Sequence, residues 1–139
     1  MFLLDHSAWS RFPDPRVSDE RIAWVAEHLE ADELGTCLPF LLEAGYSARS
    51  LSDHEQIGAR LAKLPRVAIS EEVEHLALEA QRQLARVGHH RVSVADLIIA
   101  ACAHVARAGV LHYDHDFDRI AEMTSLRFDS EWLAPAGTL

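Results

Sequence analysis

Short apolar runs alternate with longer segments of helical period along this chain. Phe2-Leu3-Leu4 is a strand-length run that ends at Asp5, and Leu34 to Leu38 is a second. Arg66-Val67-Ala68-Ile69, bounded by Pro65 and Ser70, reads as a third strand. Val110-Leu111-His112-Tyr113 reads as a fourth and Leu126-Arg127-Phe128 as the last. Between these lie helices. Ser7 and Ala8 open a short one that Pro13-Asp14-Pro15 ends, and Ser18 caps another with a stripe of Ile22, Val25, Ala26 and Leu29. Trp24 lies beside that stripe, at the edge of the core. Pro39 starts the helix PFLLEAGYS, and the next helix buries Ile57 and Leu61. Ser70 begins a longer one with Val73, Leu76, Ala80, Leu84 and Val87 on one face and Gly88 as its stop.

The densest stretch runs from Ser93 to Ile120. Leu97, Ile98, Ala101, Cys102 and Val105 recur at helical spacing, Gly109 is the expected stop, and the fourth strand runs into Asp114, Asp116 and Asp118. Trp132-Leu133 then closes the core before a loose tail. Strands separated by helices predict an α/β fold, with a mainly parallel central sheet of about five strands and helices on both faces. No linker or repeat interrupts it, so residues 1–139 are expected to form a single domain.

Composition narrows the function classes. No apolar run approaches the roughly 20 residues of a bilayer span, and an acid at position 5 interrupts the start where a signal peptide would be apolar. Cys37 and Cys102 sit among apolar neighbours, as buried free thiols of a cytoplasmic protein would. A net charge of −9 argues against binding nucleic acid through overall charge, but not against a nuclease with a local basic patch. Arg82, Arg86, His89, His90 and Arg91 form one basic run, either a solvated helix end or an entry ramp for phosphates. The nine histidines show no zinc spacing; His89-His90 and His112-x-x-His115 read as surface residues or as supports behind a site.

The acids carry the chemistry. Asp5 and Asp114 each directly follow a strand, and ligands bind parallel sheets beyond the carboxyl ends of the strands. If those two strands are neighbours, both carboxylates lie at one edge. Asp96, in the first turn of its helix, would face the same edge, although Ser93-x-x-Asp96 also reads as a capping box and Asp5 as a helix cap. Glu43 is either a solvent-facing helix residue or one aimed into the pocket. Each like-charged pair at about 4 Å costs about 4 kcal/mol at an effective dielectric of 20. A divalent cation removes that repulsion. All-oxygen ligands favour Mg2+ or Mn2+ over zinc, and such an ion suits phosphodiester hydrolysis.

LLDHSAW, the acid in PFLLEAGYS, HRVSVADLIIAACA, VLHYDHDFDRIA and a late tryptophan follow one another from Phe2 to Leu133. In that order they resemble a PIN-domain ribonuclease of the VapC toxin type. The resemblance implies an acidic quartet of Asp5, Glu43, Asp96 and Asp114, with Asp116 as an accessory fifth. Asp5, Asp96 and Asp114 would hold or neighbour Mg2+, with Mn2+ as a substitute, while Glu43 and Asp116 position water or a second ion. Ser7 would support the first acid; Asp118 stands at a variable place outside the set. The resemblance further implies an RNA substrate (transfer or ribosomal RNA), a homodimer, and a cognate antitoxin whose C-terminal segment crosses the active-site groove. Two positions depart from the pattern: His6 directly after the first acid, and His112 two before Asp114, both commonly hydroxyl residues.

Other classes fit less well. Aspartate-nucleophile phosphatases need an Asp where Ser7 stands, and receiver modules need a lysine after a late strand, whereas Lys63 is the only lysine. A PIN-fold module that binds RNA or a peptide without catalysis would not need every acid, and all are present. The expectation is therefore a Mg2+-dependent endoribonuclease acting as a toxin.

Overall fold

A computed structural model describes residues 1–139. The elements, in chain order, are β1 (Phe2–Leu4), α1 (His6–Trp9), α2 (Asp19–Glu30), β2 (Leu34–Cys37), α3 (Leu38–Tyr46) and α4 (Leu51–Leu61). They continue with β3 (Arg66–Val67), α5 (Glu71–Arg86), α6 (Val94–Ala106), β4 (Gly109–His112), α7 (His115–Met123) and β5 (Ser130–Trp132). The five strands form one sheet in the order β3-β2-β1-β4-β5, and every pairing is parallel. The chain thus builds outward from β1 through β2 to β3, then returns to lay β4 on the other side of β1. That reversal is the switch point at which α/β sheets open a crevice.

Serines start four of the helices. Ser18, Ser50, Ser70 and Ser93 each accept from the backbone N–H three residues on, which satisfies a donor that the helix itself leaves free. One core of 27 buried residues joins the elements. Its centre is α6, where Leu97, Ile99 and the run Ala100 to Ala103 are all buried and the small side chains let the helix lie close to its neighbours. Cys37 and Cys102 are buried and unbridged, and no helix is long and apolar enough to cross a membrane.

The structure departs from the sequence pattern in several places. The last strand is Ser130–Trp132, not Leu126–Phe128, because pairing with β4 decides it: Val110 lies opposite Ser130 and His112 opposite Trp132. The backbone N–H groups of Leu126 and Arg127 are instead taken by Thr124 Oγ1 and His104 Nδ1. On α2 the inward face is Val25 with Trp24 and His28, while Ile22 and Leu29 are 39% and 47% exposed. Trp24 packs edge-on against Phe2 and stacks on His28, so the aromatics, not the aliphatic stripe, turn this helix. Val87 is exposed, and β3 stops at Val67. The C-terminal residues, expected to be loose, fold back so that the Leu139 N–H donates to Tyr113 Oη at 2.9 Å.

Gly109 does not stop α6. Arg107 ends the helix in the left-handed region at φ 54°, and Gly109 opens β4. Its missing side chain is what lets the strands close: a Cβ there would stand 2.5 Å from Phe2 Cδ1 and 2.9 Å from the Asp129 carbonyl oxygen. Gly109→Ala should therefore lower the unfolding free energy in urea by about 1–3 kcal/mol. Gly58→Ala, inside α4 with no atom within 4 Å of the added Cβ, should raise it by about 0.5–1 kcal/mol.

Candidate metal centre

The β1–β4 pairing brings the two strand-end acids together. Leu4 lies opposite Leu111, and the Asp5 N–H donates to the Leu111 carbonyl at 3.0 Å, so Asp5 and Asp114 leave the sheet at the same edge. Asp5 caps α1 and is 3% exposed, with Oδ2 accepting from the Ser7 N–H at 2.9 Å and from the Ser7 hydroxyl. The same hydroxyl oxygen accepts from the Tyr113 N–H at 2.9 Å, tying the end of β1 to the end of β4. Ser7 therefore supports the first acid and also bridges the strands.

Asp114 caps α7, and its Oδ1 accepts from the Asp116 N–H at 2.9 Å. Asp116 lies in the first turn of that helix and pairs with Arg119 at 3.0 Å. Asp96 lies in the first turn of α6 and is 5% exposed. One oxygen from each of Asp96, Asp114 and Asp116 falls within 4.8 Å of the others. Asp5, Glu43, Asp96 and Asp114 line an open cleft of about 420 Å³ beside them. The five acids are thus brought to one place, with Asp116 closing a triad with Asp96 and Asp114.

Electrostatics at Asp96 register the crowding. Burial first, and then the negative charges of Asp5, Asp114, Asp116 and Glu43, push its carboxyl up to about 8. Burial also raises Asp5 against the opposing hydrogen bonds from Ser7, and burial followed by the charge of Asp5 raises Glu43. Asp96 Oδ2 is buried with no hydrogen-bond partner. A desolvated carboxyl oxygen without a donor, on a side chain clustered with two further carboxylates, is a poor arrangement for the protein alone and a good one for a cation. With no histidine nitrogen or thiolate in the triad, the donor set suits a hard divalent ion such as Mg2+ or Mn2+.

The two departures from the expected pattern have different outcomes. His112 is fully buried, and burial holds its imidazole down at about 4, hence neutral. Its Nδ1 accepts from the Asp114 N–H at 3.1 Å, and its Nε2 meets Ser130 Oγ at 2.7 Å. The Ser130 hydroxyl donates in turn to Asp118 Oδ1, whose other oxygen accepts from Trp132 Nε1 at 2.9 Å. A neutral ring with its proton on Nε2 satisfies this whole series, which fixes the backbone at Asp114. Asp118, outside the acid set, spends both oxygens on β5. His6 lines the cleft, packs beside Trp9, and leaves Nε2 buried without a partner. In the basic run, Arg82 pairs with Glu79, while His89, His90 and Arg91 are exposed. Arg11, which the sequence pattern did not single out, also lines the cleft. A roomier cleft of about 880 Å³ lies between α2 and the C-terminal residues, but its acids are committed to Arg21, Ser130 and Trp132 or stand apart.

A parallel α/β sheet with clustered carboxylates at its switch point defines the class. The PIN domain family matches residues 2–123, and the chain belongs to that family, in its VapC type. It is 39% identical over 142 residues to Ribonuclease VapC18 of Mycobacterium tuberculosis, covering 100% of this chain and 99% of the relative. Ribonuclease VapC21 of the same species is 40% identical over 139 residues, covering 99% and 96%. Among solved structures, DNA-bound VapBC from Salmonella typhimurium superposes with a TM-score of 0.73 at 19% identity, covering 96% of this chain and 98% of that one. VapBC-5 from Mycobacterium tuberculosis gives 0.63 at 22% identity, covering 92% and 96%.

The raised carboxyl of Asp96 has a consequence for stability. The folded, metal-free protein keeps this proton at pH values where the unfolded chain, with an ordinary value of 3.8, has released it. Its contribution is fully present below about pH 4 and is lost as pH rises through about 8. Below about pH 6.5 the buried neutral His112 has the opposite slope, so in EDTA the melting temperature should fall between about pH 6.5 and pH 8 along a slope that Asp96→Asn flattens. Calorimetry across that range checks it.

Proposed function

We propose that this protein is a Mg2+-dependent endoribonuclease, the toxin of a type II toxin–antitoxin pair, hydrolysing phosphodiester bonds in transfer or ribosomal RNA. The observation that carries the reading is the buried, partnerless Asp96 Oδ2 inside a carboxylate triad. The activity printed in the names of the full-length relatives supports it. Asp96, Asp114 and Asp116 hold the ion, and Asp5 neighbours it directly or through water. Mn2+ substitutes for Mg2+ on the same oxygens. When bound, the cation orients and acidifies the attacking water and stabilises negative charge on the phosphate.

The chain's own groups do the rest. Ser7 fixes the rotamer of Asp5, and the α7 cap fixes Asp114 against Asp116. Glu43, which lines the same cleft from α3, orients water. The acidic cleft also suits inhibition by an antitoxin segment bearing a cation, and VapBC-5, a toxin–antitoxin system whose structure shares this fold, supports pairing with an antitoxin. A homodimer is the expected assembly.

Purified protein incubated with total cellular RNA should cut it in Mg2+ and stop in EDTA. Asp5→Asn and Asp96→Asn should each lower kcat/KM by about 10²–10³-fold with unchanged circular dichroism. Metal-dependent cutting that survives in both folded variants would count against the reading. Binding of RNA without cutting by the native protein would replace it with a non-catalytic PIN module.

A further inference from the structure

We propose that Arg11 is the phosphate anchor of this cleft, binding the RNA phosphate next to the one that is cut. This rests on the nuclease reading and adds to it the contact by which a protein of net charge −9 receives a polyanion. Arg11 is the only lysine or arginine that lines the acidic cleft. The guanidinium is already held in place. Nη1 donates to the Ser7 carbonyl at 2.8 Å, and Cζ lies 4.8 Å from the centroid of the Tyr113 ring. Tyr113 is itself tied down through its hydroxyl, which accepts from the Leu139 N–H at 2.9 Å.

What remains free on Arg11 is the informative part. The protein's ion pairs use Arg16, Arg21, His28, Arg82 and Arg119, and none uses Arg11. The nearby Asp14 is occupied by Arg16 through two hydrogen bonds of 3.0 and 2.7 Å. Nε and Nη2 of Arg11 make no intramolecular hydrogen bond, and together they form the forked edge that matches two phosphate oxygens. An arginine in a cleft lined by four carboxylates would ordinarily collapse onto one of them. The Ser7 carbonyl and the Tyr113 ring face hold this one off, charged and with its fork open.

Ser7 links the two functions, since its side chain and N–H hold Asp5 while its carbonyl holds Arg11. A phosphate on Arg11 is thereby held at a set offset from the acids. Because that phosphate is not the reacting one, the contact is equally strong before and during cleavage. Its loss should raise KM and leave kcat nearly unchanged. Tyr113 is a positioning residue, acting through Arg11.

The test measures binding of a short fluorescein-labelled single-stranded RNA of mixed sequence, in an Asp96→Asn background, between about 50 and 200 mM KCl. Arg11→Ala should weaken binding about tenfold and reduce the salt slope by about one unit. Arg11→Lys should keep the slope and lose less affinity, since the charge stays and the fork goes. In the otherwise native protein, Arg11→Ala should raise KM about tenfold with kcat within about twofold. Tyr113→Leu should raise KM without changing the slope.

A purely structural role would leave the salt slope unmoved. An unchanged slope and affinity in Arg11→Ala, or a fall in kcat at constant KM, overturns the assignment while native cutting of RNA leaves the nuclease reading standing. A native protein that neither binds nor cuts RNA removes both. Should Arg11→Ala fail to fold, Arg11→Gln, which keeps a donor for Ser7 without the charge, carries the same expectations.

Discussion

Crowding of like charge out of water is the constraint on which this molecule turns. Carboxylates from the ends of β1 and β4 and from α3, α6 and α7 meet at the reversal point of a parallel sheet, and one of the two most buried, Asp96, has an oxygen with nothing to bond. Such a cluster persists only if the surrounding structure cannot relax away from it. α6 supplies much of that rigidity. Its residues from Leu97 to Ala103 are almost wholly within the core, so Asp96 cannot swing out to solvent without unpacking the centre of the protein. The strain is local, and the core that resists it is general.

Hydrogen bonds around the acids are arranged to fix orientation more than to neutralise charge. Ser7 alone serves Asp5, the Tyr113 N–H and Arg11, so a single small residue joins two strand ends and the rim. On the other side, the neutral His112 relays from the Asp114 backbone through Ser130 to Asp118. That route uses β5, an edge strand of only three residues, as a support for the site. A histidine at this position thus does by burial and tautomer what a hydroxyl would do by size.

Some of this was readable from the chain alone. The acids after β1 and β4, the first-turn acid of α6 and the alternation of strands with helices are local features, set by sequence period and caps that need no distant partner. The faces of helices were less secure. An aliphatic stripe on α2 looked inward by pattern, yet Phe2 draws Trp24 and His28 inward and leaves Ile22 and Leu29 in solvent. Leu126-Arg127-Phe128 had the composition of a strand, but strand formation requires backbone partners, and β4 offers them to Ser130–Trp132.

The sequence by itself determined which residues carry charge, where the chain turns, and that strands would end in acids. Tertiary structure alone decided that β4 lies beside β1, that Asp116 joins Asp96 and Asp114, and that Arg11 is held open by Tyr113 and the returning C-terminus. Periodicity is a property of neighbouring residues. Proximity across more than a hundred positions is created by strand pairing and core packing, which no local pattern encodes.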